Sequence, residues 1–229
     1  MGEDTITLTV KDFLQQGALF AKNGEYEKAV QVFSELIQAV PDFAPAYFRR
    51  GCAFFDMKDM DRAMSDFNRT IRRNPDFAEA YDSRGLVYAR RGDIDRAIED
   101  HAKAAKLKPT SAFTFDNLGG AYTMKGDFES ALTNYSEAIL LDPTNWKYYF
   151  SRGGVLLQSG NFDAAIADLN ESIRLNPNFA QAYYNRGYAY MQLQKPEKAA
   201  DDFKVTRRLQ PNHPGASQAL DAIRGNRSS

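Results

Sequence analysis

The sequence predicts an all-α protein built as a solenoid of repeated helix–turn–helix units. Three residue lattices, all in phase, carry that prediction. Pro41, Pro75, Pro109, Pro143, Pro177 and Pro211 stand 34 residues apart. Gly17, Gly51, Gly85, Gly119, Gly153 and Gly187 keep the same period, and so do Ala29, Ala63, Ala97, Ala131, Ala165 and Ala199. Composition bias does not hold three residue types in register over six cycles.

Each unit reads as two helices, each of roughly 14 residues, near the usual globular length. The first surrounds the lattice glycine and the second the lattice alanine. Glycine inside a helix costs about 1 kcal/mol relative to alanine. The lattice glycine therefore needs a packing reason, and close approach of the partner helix supplies one; the lattice alanine is expected to play the matching role on the second helix. Gly24, Gly92, Gly126 and Gly160 follow where a helix C-terminus takes a left-handed residue. Lys58 and Gln194 hold that place in units two and six, so those turns are expected to be tighter or differently shaped. The lattice proline ends each unit because it cannot continue a helix. Asp42, Asp76, Thr110, Thr144, Asn178 and Asn212 come next and are of types that cap a new helix. Pro45 and Pro196 fall early in their helices, where proline is tolerated.

The resulting layout is an N-terminal extension 1–9, units 10–43, 44–77, 78–111, 112–145, 146–179 and 180–213, and a terminal segment 214–229. In that last segment Ala216, Leu220 and Ile223 share one face, which reads as a capping helix over the apolar end of unit six. The closing GNRSS is expected to fray.

The bulk numbers narrow the function classes. The chain has 229 residues, 43% of them hydrophobic and 26% charged, with a net charge of −1. A dedicated nucleic-acid binder usually carries a strong basic excess. No stretch approaches the roughly 20 apolar residues of a membrane span. The opening MGEDTITLTV lacks the basic start and apolar core of a secretory signal, so the expected location is the cytoplasm. A single cysteine, Cys52, rules out an internal disulfide framework. Acids early and bases late in the second helices follow the helix dipole. Arg72, Arg73, Lys106, Lys108, Arg207 and Arg208 are therefore read as dipole partners and not as a nucleic-acid patch.

Motifs for catalysis are missing. His101 and His213 lie far apart, and His101 takes an aromatic packing slot. Cys52 has no neighbours at metal-ligand spacing. No phosphate loop or nucleophile elbow is present. Gly119-Gly120 and Gly153-Gly154 sit mid-helix, where packing explains them better than phosphate binding. The expectation is a non-enzyme with no cofactor and no metal.

Aromatic-x₃-Gly-x₂-aromatic, then Ala-x₃-aromatic, then Pro, at a period of 34, closely resembles the tetratricopeptide repeat. Unit three shows it in Tyr81, Gly85, Tyr88, Gly92, Ala97, Ala104 and Pro109, and unit four in Phe115, Gly119, Tyr122, Ala131, Tyr135, Ala138 and Pro143. Leu156 and Leu169 in unit five, and His101 in unit three, depart from it by replacing aromatics. The resemblance spans residues 10–213 and implies a right-handed superhelical arc whose first helices line a concave, partner-binding face.

Relative to the lattice glycine, the resemblance puts groove positions at −6, −3, −2, +1, +4 and +5. Position −2 is polar in every unit, from Gln15 and Arg49 through Ser83, Asn117 and Ser151 to Asn185, a partial version of the family's asparagine ladder. Large apolar residues stand beside it at −3 in Phe48, Phe150 and Tyr184. At +1, Gly120 and Gly154 leave a hollow floor that Cys52, Leu86 and Tyr188 flank. The family's clamp for a chaperone-tail carboxylate needs Lys at −3 and Asn at +1 of one unit; Leu14 and Ala18 stand there in unit one, and no three consecutive units supply the full set.

The leading expectation is a scaffold or adaptor that binds an extended or helical segment of another protein, chiefly on units four to six. The site residues are Arg49, Phe113, Asn117, Gly120, Lys147, Phe150, Gly154, Tyr184, Asn185 and Tyr188. The competing readings are a self-assembling structural module and an RNA-binding solenoid. Against RNA, Asp56, Glu79, Asp82 and Asp116 put acids on the face that phosphates would approach.

Overall fold

The computed structural model describes residues 9–225. The extension before Thr9, and residues 226–229 of the segment expected to fray, lie outside the described residues, while Gly225 ends a helix. Among those described there are 13 helices and no strand. They are α1 (Val10–Lys22), α2 (Tyr26–Ala39), α3 (Ala44–Asp56), α4 (Met60–Arg73), α5 (Ala78–Arg90), α6 (Ile94–Leu107) and α7 (Ala112–Lys125). After these come α8 (Phe128–Leu141), α9 (Trp146–Gln158), α10 (Phe162–Leu175), α11 (Ala180–Gln192), α12 (Pro196–Leu209) and α13 (Pro214–Gly225). The odd-numbered helices up to α11 surround the lattice glycines and the even-numbered ones surround the lattice alanines.

The helices group into two compact bodies, residues 1–109 and 110–229. In the first, α1–α2, α3–α4 and α5–α6 are antiparallel pairs, α2 packs on α3, and α4 packs on α5. In the second, α7–α8, α9–α10 and α11–α12 pair in the same way, α8 packs on α9, α10 on α11, and α12 on α13. One pair cannot bury its apolar face alone, and stacking solves that.

All six lattice alanines are fully buried. The partner of each lattice glycine, however, is the side chain four residues beyond the alanine. These are Phe33, Phe67, His101, Tyr135, Leu169 and Phe203. A Cβ on Gly85 would lie 2.8 Å from the His101 ring, and one on Gly187 would lie 2.8 Å from the Phe203 ring. Alanine thus keeps the second helix slim while a ring from the next turn reaches onto the glycine.

Two local expectations are corrected. Lys58 (φ 64°) and Gln194 (φ 56°) adopt the same left-handed turn as the four glycines. The closing hydrogen bond, Asp59 N to Phe54 O or Lys195 N to Tyr190 O, matches Asp93 N to Tyr88 O. A side chain there costs roughly 1–2 kcal/mol, which the stack absorbs. The residues after the lattice prolines do not cap the first helices. The caps are one residue later: Phe43, Phe77, Ser111, Asn145 and Phe179, with Thr9 heading α1. Only Thr9, Ser111 and Asn145 use their side chains for it. Phe77 and Phe179 instead pack back on the preceding first helix, with ring centroids 4.9 Å from Phe48 and 4.8 Å from Phe150. Second helices are capped by Asp59, Asp93, Asp127 and Asn161.

A fourth lattice runs through the stack. Arg50, Arg84, Arg152 and Arg186 each precede a lattice glycine and grip an aspartate 16 residues on with two hydrogen bonds: Asp66, Asp100, Asp168 and Asp202. A third guanidinium bond reaches back to Ser34, Asn68, Ser136 or Asn170 of the preceding repeat. Each arginine therefore ties its own pair to the pair before it. The geometry is the bidentate, charge-assisted kind.

Candidate functional site

In the C-terminal body the first helices α7, α9 and α11 lie side by side. Adjacent glycines on α7 and α9 have opposite surroundings. A Cβ at Gly119 would meet the Tyr135 ring at 2.9 Å, and one at Gly153 would meet Leu169 at 3.2 Å. At Gly120 the nearest atom would be the Tyr135 hydroxyl at 3.7 Å, and at Gly154 nothing lies within 4 Å. Packing explains the first member of each doublet and not the second. The bare backbone of Gly154 faces open space, and that of Gly120 has a single hydroxyl within ordinary contact distance.

The same three helices carry exposed groups. Phe113 is 56% exposed and Tyr188 45% exposed, both unusual for large rings. Lys147 is exposed, its ammonium 5.8 Å from the Trp146 ring centroid. Asn117 and Asn185 are half-buried, and Asn185 Oδ1 accepts a 2.9 Å bond from Gln181 Nε2. Phe150 and Tyr184 are also half-buried, and they serve as packing pieces too. Phe150 sits edge-on to Phe179. Tyr184 lies between Phe203, at 5.5 Å, and His213, at 4.4 Å, with its hydroxyl against the backbone of Gly215 on α13. Those two rings therefore offer a ligand an edge and not a free face.

Arg49, the one site residue in the N-terminal body, is exposed on α3. Close by, α3 and α5 enclose a cavity of about 230 Å³ lined by Cys52, Phe55, Asp56, Phe67, Ser83 and Leu86. Apart from Phe67, all of these occupy groove positions. Burial pushes the Cys52 thiol up to about 12, so it is a protonated, apolar wall of the cavity. The Arg90 guanidinium covers Phe55 at 4.0 Å. In the sequence alone Cys52 and Leu86 stand out only as flanks of the hollow floor. A small residue at +1 and at −2 of neighbouring repeats, with Phe55 one turn away, is the pattern that marks the hollow.

The acids read as facing the groove divide. Asp82 is buried, its Oδ1 2.5 Å from Nδ1 of the equally buried His101. Glu79 is tied to Lys108 at 2.7 Å, and this bond holds its carboxyl below the usual range. Asp56 stays exposed at the cavity mouth. No group of three or more metal-ligating side chains occurs among the described residues, and no helix there is long and apolar enough to cross a membrane.

Family profiles described as tetratricopeptide repeat match residues 14–69, 48–112 and 180–213, and one described as TPR repeat matches 119–160 and 153–194. No curated protein matches the chain. Among solved structures, the chain is similar to YrrB, described as a TPR protein with an unusual peptide-binding site. The TM-score is 0.70 at 23% identity, covering 82% of this chain and 97% of YrrB. Similarity to MamA has a TM-score of 0.67 at 26% identity, covering 71% of this chain and 95% of MamA. Similarity to a chain of the APC/C hetero-tetramer Cut9–Hcn1 has a TM-score of 0.77 at 21% identity, over 93% of this chain and 42% of that one. At such identities the likeness is one of fold.

Proposed function

The chain belongs to the tetratricopeptide repeat family, and from that premise we propose that it is a non-catalytic scaffold that holds a peptide segment of a partner protein against the first helices of its C-terminal body. The observation that carries this reading is the open backbone at Gly154, with only the Tyr135 hydroxyl near Gly120. Each mid-helix glycine costs about 1 kcal/mol, and neither recovers it through packing. Close approach of a ligand backbone gives both residues a purpose. Phe113 and Tyr188 supply ring surface of the kind that dominates binding energy. Asn117 and Asn185 carry amides that hydrogen-bond a peptide backbone, and Lys147 meets an acidic group on the ligand. YrrB, of the same fold, is described as binding peptide.

The test starts from a peptide selected by display against the immobilised chain. Its affinity is measured by fluorescence anisotropy for Gly120→Ala with Gly154→Ala, Phe113→Ala with Tyr188→Ala, and Asn117→Ala with Asn185→Ala. The glycine pair is expected to raise thermal stability while weakening binding. Each aromatic removed is expected to cost about 2 kcal/mol of binding, and each amide about 0.5–1.5 kcal/mol. If all three pairs bind as the parent does, while Arg49→Ala with Phe55→Ala abolishes binding, the site is the α3–α5 cavity and this assignment fails.

A further inference from the structure

The repeats serve as templates for one another. Three residues after five of the six lattice glycines stands a ring: Phe20, Phe54, Tyr88, Tyr122 and Tyr190. Eight residues beyond four of these rings stands a cation that covers it. Lys28 lies 5.4 Å from the Phe20 centroid, Arg62 4.4 Å from Phe54, Arg96 5.6 Å from Tyr88, and Lys198 5.6 Å from Tyr190. In two repeats the lattice arginine also lies near the same ring, Arg50 at 5.9 Å from Phe54 and Arg84 at 5.9 Å from Tyr88. Unit five lacks both partners. Leu156 takes the place of the ring and Ala164 the place of the cation. Unit four keeps its ring, Tyr122, with Ser130 at the cation position.

The consequence is a hollow of about 380 Å³ between α8, α9 and α10, on the side of the second helices and away from the candidate groove. Leu132, Leu156, Ala164 and Ala167 form its apolar walls, and Ser136, Arg152 and Asp168 its polar one. Arg152 keeps the three hydrogen bonds of its siblings, to Asp168 through two 2.7 Å bonds and to Ser136 at 2.9 Å. Its guanidinium lacks the ring that stands 5.9 Å from Arg50 and Arg84. It is also the most exposed of the four, at 25% against 15%, 19% and 20%.

We propose that this outer hollow is a second docking site, which takes a phenylalanine or tyrosine side chain of a partner polypeptide, stacked on Arg152 and seated on Leu156. The chain itself names the occupant, because at the equivalent place in its second and third repeats it sets a ring, Phe54 or Tyr88, 5.9 Å from the same arginine. A ring over a guanidinium is favourable by about 0.5–1 kcal/mol at an exposed site and more when water is excluded. So small a contact needs a flanking backbone to add area, and the exposed rim at Ser136 and Ala167 leaves room for one.

Methyl NMR tests the proposal. The intact chain is titrated with N-acetyl-phenylalaninamide, with N-acetyl-alaninamide, and with a pentapeptide carrying one central phenylalanine between serines. Saturable shifts of the Ala164, Ala167 and Leu156 methyls are expected with the two phenylalanine probes only, and the pentapeptide should saturate at the lower concentration. Leu156→Tyr with Ala164→Arg installs the ring and cation of unit three. That variant should melt no lower than the parent, lose the shifts at Ala167, and keep groove binding. Ala164→Arg alone, which only roofs the hollow, should weaken the shifts and serves if the double variant folds poorly. No saturable shift at these methyls, unchanged shifts at Ala167 in the filled or roofed variant, or equal affinity for the amide and the pentapeptide would each overturn the proposal. The last result would assign the hollow to a free aromatic molecule.

Discussion

Asp82 and His101 take, in the third repeat, the two positions that Phe48 and Phe67 take in the second and Tyr184 and Phe203 in the sixth. The ring pairs stand 6.0 Å and 5.5 Å apart, while the polar pair closes to 2.5 Å between Oδ1 and Nδ1. One register slot under the groove is thus filled either by two rings or by a carboxylate and an imidazole.

His101→Phe removes a hydrogen-bond partner from the buried Asp82, and Asp82→Phe removes one from the buried imidazole. His101→Phe alone, or Asp82→Phe alone, is expected to lower stability by about 3 kcal/mol. The double variant rebuilds the arrangement of the second repeat and should lose clearly less than the sum of the two. Urea unfolding midpoints measure this, and strictly additive losses would show that the pair is not coupled.

The glycine doublets predict opposite responses to one substitution. Gly85→Leu and Gly187→Leu drive a side chain into His101 and Phe203, an overpacking cost of about 1–3 kcal/mol or more. Gly154→Leu meets no atom within 4 Å at its Cβ and should gain up to about 1 kcal/mol of helix propensity. Thermal melts separate the two classes. Equal destabilisation at Gly154 would mean that its surface is not open.

The helices and their pairing were legible because proline, glycine and alanine act through backbone and close packing, which leave a period. The displaced caps were not. Propensity favours Asp42 or Asn178 over Phe43 or Phe179, yet tertiary contact with the preceding first helix decides where the helix begins. The Arg50–Asp66 type of bridge was present in the sequence as a recurring Arg-Gly followed by a distant aspartate. It was hidden because charges on helices read as solvated faces. Gly120 could not be told from Gly119, since both are helical and only the neighbour across the gap distinguishes them. For the same reason Tyr184 reads as a groove anchor in the sequence, although the structure also packs it under α13.

Cys52 predicts a pH dependence. Burial raises its thiol from 9.0 to about 12, so the folded chain holds that proton more tightly than the unfolded chain. Its contribution is full below pH 9.0 and is lost as pH rises from there towards about 12. The drop in stability across that window should be smaller in Cys52→Ala than in the parent. Alkylation by iodoacetamide near neutral pH should be far slower in the folded chain than in urea, because the thiolate is the nucleophile. Equal rates in the two states would contradict the buried, protonated thiol.

The arginine bridges predict a contrast between buried and surface ion pairs. Asp202 is nearly covered, and Arg186→Leu leaves it without its bidentate partner, which should cost about 3–5 kcal/mol. Lys204 bonds Asp201 in the open, and Lys204→Ala should shift stability by no more than about 0.5 kcal/mol. High salt should erase the second difference and leave the first. A small effect at Arg186 would mean that the ladder orders the repeats without holding them.

Helix α13 predicts how the stack comes apart. Ala216, Leu220 and Ile223 are buried, and Leu220 and Ile223 pack on Ala199 and Phe203 of repeat six. Burying a leucine or isoleucine contributes about 1.5–3 kcal/mol, so a chain ending at His213 exposes the face that those residues cover. In a repeat array, stability is a sum of unit and neighbour terms, so the loss should fall first on repeat six. The only tryptophan, Trp146, lies one repeat earlier, where it packs on Phe179 at 4.4 Å. Circular dichroism, which reports all helices, should therefore begin its transition at a lower temperature than Trp146 fluorescence in the truncated chain, and the two should lie closer together in the parent. Leu220→Asp, which keeps the helix but spoils its buried face, should act in the same direction with a smaller separation. If truncation leaves the melting temperature unchanged and the two probes coincident, α13 does not support repeat six, and the apolar end of that repeat is stable in water by itself.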